Sequence, residues 1–137
     1  MTFDIVYREE SDLSVEEFID VLRRSTLAER RPVDQPERIR RMLAHADIML
    51  CAREPRGKLV GISRAITDFS YCCYLSDLAV DKTWHGHGIG RELIRKTHER
   101  AGLGATLILL SAPRSMSYYP HVGMTKVENA FIIPRRP

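Results

Sequence analysis

Three glycines fall at alternate positions, Gly86, Gly88 and Gly90, in the stretch VDKTWHGHGIGREL from Val80 to Leu93. An apolar run precedes them and a helix-like pattern follows at once. A loop of this kind suits an anion. The free N–H groups at a helix start point outward, and the helix dipole favours negative charge there. Glycine allows positive φ and a close backbone approach, so the loop can hold a phosphate or pyrophosphate. Neither common nucleotide fingerprint fits. A dinucleotide site needs G-x-G-x-x-G, and Arg91 stands where the third glycine would fall. A nucleotide P-loop needs G-x-x-x-x-G-K-[ST], and Gly90 is followed by Arg91 and Glu92. On glycine count alone a tight structural turn remains open.

Other chemistry-bearing residues give weaker signals. His85 and His87 form H-x-H, but two ligands are too few for a metal and no third has convincing spacing, so no metal is expected. Cys72 and Cys73 could carry an acyl group, yet nothing beside them suggests a lowered pKa. With Cys51 they make three cysteines, an odd number without a CxxC pair, which suits reduced thiols in a cytoplasmic protein. Trp84 reads as a packing residue.

The chain of 137 residues suits one domain over 1–137, large enough to bury a core without staples. No run of about 18 apolar residues is present, so no membrane span is expected. The start, MTFDIVYREESD, has early acids and does not read as a signal peptide. The net charge of +3 is small and scattered over Arg30, Arg31, Arg38, Arg40, Arg41, Arg135 and Arg136. It argues for no nucleic acid but is compatible with an anionic ligand.

The elements that would position the loop follow from periodicity and breakers. Phe3, Ile5 and Tyr7 alternate in a first strand. Ser14 is an N-cap with Glu17 as its capping-box partner, opening a helix to about Arg24. Pro32 and Pro36 bracket a loop, and 37–46 reads as a second helix. Ile48 to Arg53 and Leu59 to Thr67 read as a hairpin, and Tyr71 to Val80 as a fourth strand covered on both faces. A helix runs from about Gly88 to Ala101, then a strand over 106–111 and a short helix or loop over 113–122. Met124 to Val127 and Ala130 to Ile133 are expected to close the sheet as two further strands. The order βααβββαβαββ is an α/β (α+β layered) fold with a mixed sheet, and strand four, helix and strand five form a right-handed crossover.

LSDLAVDKTWHGHGIGRELI resembles the acetyl-CoA-binding motif of the GNAT superfamily of N-acetyltransferases, Gln/Arg-x-x-Gly-x-Gly/Ala after a strand. The aligned residues are His85, Gly86, His87, Gly88, Ile89 and Gly90, with His85 where the family prefers Gln or Arg. Tyr118-Tyr119-Pro120-His121-Val122-Gly123-Met124 resembles the family's aromatic-Tyr-x-x-x-Gly-Phe segment, with Met for Phe; the Asn often found upstream is replaced by Ala112 and Pro113. The strong resemblance covers about residues 74 to 124, and within the family the Leu59-Val60-Gly61 run and the fourth-strand text look most like small bacterial members and the plant arylalkylamine-type enzymes.

The resemblance implies a mixed central β-sheet of six to seven strands flanked by helices. It implies transfer of the acetyl group of the cosubstrate acetyl-CoA to a primary amine by direct attack in a ternary complex. The main chain of Leu78, Ala79 and Val80 would pair with the pantetheine arm, and His85 to Arg91 would cradle the pyrophosphate. Lys96 reads better as helix-surface charge. Tyr119 would be the general acid for the thiolate, with Tyr118 its competitor. Asp77, a carboxylate in an apolar strand, is the candidate base; the alternative is a structural Asp bonding a helix end or loop. Plain alternation puts Asp77 with Cys73 and Leu75, away from Tyr74, Ser76 and Leu78, unless a bulge intervenes. Glu29 and Asp34 could shape the amine site instead. The acceptor is expected to be a small-molecule amine, and an amino-acid-like compound, a polyamine or a protein N-terminus all stay open. Fold analogy alone raises a homodimer through the C-terminal strands. The alternative function is a coenzyme A-binding module or sensor without catalysis.

Overall fold

A computed structural model describes residues 4–137, so Phe3 of the expected first strand lies outside the described residues. The strands are β1 (Val6–Glu9), β2 (Ile48–Arg53), β3 (Leu59–Thr67), β4 (Cys72–Val80) and β5 (Thr106–Ile108). They lie side by side in chain order, antiparallel from β1 to β4. β5 runs parallel to β4, as a crossover through a helix requires. The helices are α1 (Val15–Ser25), α2 (Pro36–Ala44), α3 (Ile89–Ala101) and the single turn α4 (Tyr118–His121).

Two layers of apolar side chains hold the helices to the sheet. On one face Phe18, Val21 and Leu22 of α1 and Ile39 of α2 pack on Cys51, Ile62 and Ala79. On the other face Ile89, Leu93 and Ala101 of α3 pack on Leu50, Val60, Ala65 and Cys73. Each fully buried side chain of this size stabilises by roughly 1.5–3 kcal/mol. Ser14 caps α1 by accepting from the Glu17 N–H at 3.1 Å. Only half of the expected capping box forms, because the Glu17 carboxylate turns to Arg53, 2.8 Å away.

β4 does not alternate cleanly. Arg64 pairs with Asp77, but the next residue, Ala65, pairs with Leu75, which leaves Ser76 as an extra residue. This bulge reverses the side-chain parity. Asp77 therefore shares a face with Arg64, and with Ala79 opposite Ile62, on the α1/α2 side; Cys73 and Leu75 face α3. That corrects the grouping expected from plain alternation.

The sheet is mixed and flanked by helices as expected, but it has five strands among the described residues. β5 ends at Ile108 rather than Ser111. Residues 124–133 carry no strand at all, where two closing strands were expected. Phe131 and Ile133 are 95% and 97% exposed. An apolar pattern alone does not make a strand; these residues have no ladder partner among the described residues.

Candidate active site

β5 reaches only as far along β4 as Tyr74. From Leu75 to Val80, the edge of β4 facing β5 has no strand beside it among the described residues. Unpaired edge N–H and C=O groups are ready to bind an extended partner. A cleft of about 920 Å³ opens here. Leu78, Ala79 and Val80 form part of its wall, and His85, Gly86, Gly88, Ile89, Gly90 and Arg91 another. Tyr118 and Tyr119 line it from α4, Ser25 from the last turn of α1, Thr26, Leu27, Glu29 and Arg30 from the segment after it, and Ala112 to Ser115 from the segment after β5. Ten of the twelve residues expected from the sequence thus meet in one cleft. His87 and Asp77 do not line it.

The loop owes its shape to its glycines in two different ways. Gly86 and Gly88 have φ of 84° and 76°, a left-handed backbone that costs other residues about 1–2 kcal/mol each. Gly90 is needed for space, because a Cβ there would collide with the Tyr118 hydroxyl. The glycine of the α3 first turn and the tyrosine of α4 interlock. Arg91 reinforces the joint, its Nη2 donating to the His121 carbonyl at 3.2 Å. The His85 ring nitrogen lies 3.0 Å from the Val80 carbonyl, so His85 closes the end of β4 against the loop. His87 turns its ring back onto the loop, 3.0 Å from the Trp84 carbonyl, and tilts against the Trp84 ring. Trp84 packs on the α3-side core, as a packing residue would. Lys96 is paired with Glu92 at 3.7 Å on the outer surface of α3.

Tyr119 and Tyr118 meet edge to face, with ring centroids 5.2 Å apart. Burial pushes the Tyr119 phenol above its ordinary value and neighbouring Tyr118 adds to this, while the Arg31 guanidinium pulls the other way. Burial also raises Tyr118, opposed by Arg91. Both phenols keep their protons at neutral pH.

Asp77 is fully buried, and guanidinium groups take both its oxygens, Arg31 Nε on one and Arg64 Nε on the other. The same arginines pin the bulge. Arg31 donates to the Ser76 carbonyl at 2.7 Å, and Arg64 to the Ser76 hydroxyl at 3.0 Å. Arg31 and Arg64 were not singled out from the sequence as site residues. A signal existed: Arg64 and Asp77 are opposite charges inside two apolar strands joined by a short turn, and an antiparallel hairpin puts such positions side by side.

The two buried thiols give no sign of nucleophilic work. Burial pushes the Cys51 thiol up to about 12 and raises that of Cys73. Among the described residues, no three His, Cys, Asp or Glu side chains gather as a metal site. No described helix is long and apolar enough to cross a membrane.

A family model for the GNAT acetyltransferases matches residues 15–124. The chain belongs to this family. It is an acetyltransferase with acetyl-CoA as its cosubstrate. No curated protein sequence is significantly similar to this GNAT chain. Solved structures share its fold at low identity. An aminoglycoside N-acetyltransferase in complex with CoA is 15% identical, with a TM-score of 0.74 over 100% of this chain and 98% of its own. A GNAT family protein from Streptococcus pneumoniae is 16% identical, with a TM-score of 0.70 over 97% and 100%. Glucosamine-6-phosphate N-acetyltransferase from Arabidopsis thaliana is 15% identical, with a TM-score of 0.68 over 96% and 98%.

Proposed function

We propose that this GNAT protein transfers the acetyl group of acetyl-CoA to a small primary amine by direct attack within a ternary complex. The supporting observation is the single cleft that joins the glycine loop, the unpaired edge of β4 and Tyr119. The backbone of Leu78 to Val80 would bind the pantetheine arm as a strand. The N–H groups from Gly86 to Arg91 would hold the pyrophosphate. The amine nitrogen bonds to the thioester carbon, the carbon–sulfur bond breaks, and the nitrogen loses a proton. Tyr119 gives its proton to the departing thiolate. A phenol protonated at neutral pH within the cleft favours this over mere coenzyme binding.

Asp77 is assigned a positioning role instead of the base. Both of its oxygens are already committed to guanidinium groups, and it does not line the cleft. It fixes Arg31, Arg64 and, through them, the bulge that opens β4. The amine would lose its proton to water.

Two coarser features belong to the same reading. Three free cysteines support a cytoplasmic site of action. Exposed Phe131, Ile132 and Ile133, and an uncovered shelf of Ile66, Tyr74 and Ile108, support a homodimer held through the C-terminal segment. The first test is a calorimetric titration with acetyl-CoA, with NAD and ATP as controls. Micromolar binding of acetyl-CoA alone is expected. No binding by folded, ligand-free protein would overturn the transfer reaction.

A further inference from the structure

The arginines of this molecule are not all balanced alike. Arg53 is held by two carboxylates, Glu10 and Glu17. Arg24 also has two, Asp20 and Asp81. At the bulge of β4 the ratio reverses, and Arg31 and Arg64 share the one carboxylate of Asp77. A surplus of one positive charge remains on side chains that are 22% and 8% exposed. Buried charge is screened far less than surface charge. Its field reaches the cleft, since Arg31 opposes the rise of the Tyr119 phenol.

The cleft beside this cluster is cationic as well. Away from the glycine loop, its charged lining consists of Arg30, Arg114 and Glu29. Glu29 stands 3.9 Å from Arg114, and the Arg30 guanidinium has no ion-pair partner among the described residues. An incoming ammonium meets repulsion here. That repulsion helps the chemistry, because nearby positive charge lowers the pKa of an amine and favours its neutral, attacking form. It also weakens binding, and a polycation would suffer most. An acceptor that brings its own negative charge removes the conflict.

We propose that the acceptor is an anion-bearing primary amine, with a carboxylate or phosphate held by Arg30 and Arg114 of the cleft lining and favoured by the field of the cationic surplus behind them. This rests on the transfer reaction proposed above. It excludes polyamines and other polycations as preferred acceptors.

The test uses matched amines with and without the anion: phenylalanine and phenethylamine, arginine and agmatine, phosphoethanolamine and ethanolamine, with spermidine as the polycation. Each is assayed by free-thiol release from acetyl-CoA, and its binding to the protein, with and without CoA, is measured by calorimetry. In at least one pair the anion-bearing member is expected to win by about tenfold or more in kcat/KM or in affinity, as for a charge-assisted hydrogen bond. Whether the carboxylate or the phosphate pairs show the effect tells the two anions apart. Raised salt and the double variant Arg30→Ala/Arg114→Ala are expected to shrink the ratio several-fold. Preference for the anion-free member or for spermidine overturns the proposal. So does a ratio that neither salt nor the double variant changes, and so does failure of every amine to bind. Loss of acetyl-CoA binding is a different result. It overturns the transfer reaction, while the amine-binding arm still reads the preference for an anion.

Discussion

Tyr119 and Asp77 show how the surroundings of a side chain decide its work. In its proposed role of general acid, Tyr119 acts only while protonated. Because burial raises the Tyr119 phenol above its ordinary 10.0, loss of its proton falls above that pH. The acceptor amine titrates the opposite way, since it attacks only after losing its proton. Activity is therefore expected to rise with pH between about 6 and 9, with no falling limb from Tyr119 in that range. A steady-state pH profile checks this, and a falling limb that vanishes in Tyr119→Phe would contradict it. The same variant is expected to lower kcat by about a hundredfold or more while acetyl-CoA still binds. For Asp77 the expectation concerns stability. Asp77→Asn leaves two crowded guanidinium groups without a counter-charge, at a cost on the order of 3 kcal/mol or more. Urea unfolding measures it. A variant of unchanged stability that has lost turnover would return Asp77 to the role of base. The carboxylate stood out in the sequence because it interrupts an apolar strand. Arg64, on the neighbouring strand, left a signal as well; Arg31 left none, because it lies 46 residues away in a loop.

Among the elements, β2 and β3 were legible to the residue, since turn-forming stretches bound runs rich in apolar residues. The glycine loop was legible too, although not the division of labour within it. The sequence cannot show that Gly90 makes room for Tyr118, because that contact depends on where α4 docks. Gly90→Ala is expected to push α4 off the first turn of α3. A displacement near 1 Å at a reacting group can cost about a hundredfold in rate. Gly104→Ala is the control, since a Cβ there meets nothing within 4 Å. Kinetics of the two variants beside their circular dichroism separates lost geometry from lost fold. Equal activity would show that the interlock is dispensable. The bulge was the least legible feature. Ser76 has nothing in its type to mark it as an extra residue; its place is set by the two arginines that hold its carbonyl and hydroxyl.

For the whole molecule, layered architecture and chain order could be read from alternating elements, whereas the end of the chain could not. Val127 and Phe131 to Ile133 have the composition of strands, but a strand exists only where another strand completes its hydrogen bonds. Removing residues 128–137 is expected to leave the far-UV spectrum nearly unchanged, because those residues carry neither helix nor ladder. Sedimentation should at the same time show a shift from dimer to monomer. A large spectral loss would mean that the tail supports its own chain. The topology also has a consequence in time. Each of the first four strands pairs with its predecessor, β1 across the two helices that follow it, and α3 comes after them. A ribosome therefore delivers every partner in those ladders, together with the glycine loop, before it reaches β5. Tyr118 and Tyr119 come only after β5. With the roles proposed for the loop and Tyr119, the part that would grip the acetyl donor is synthesised before the part that would spend it.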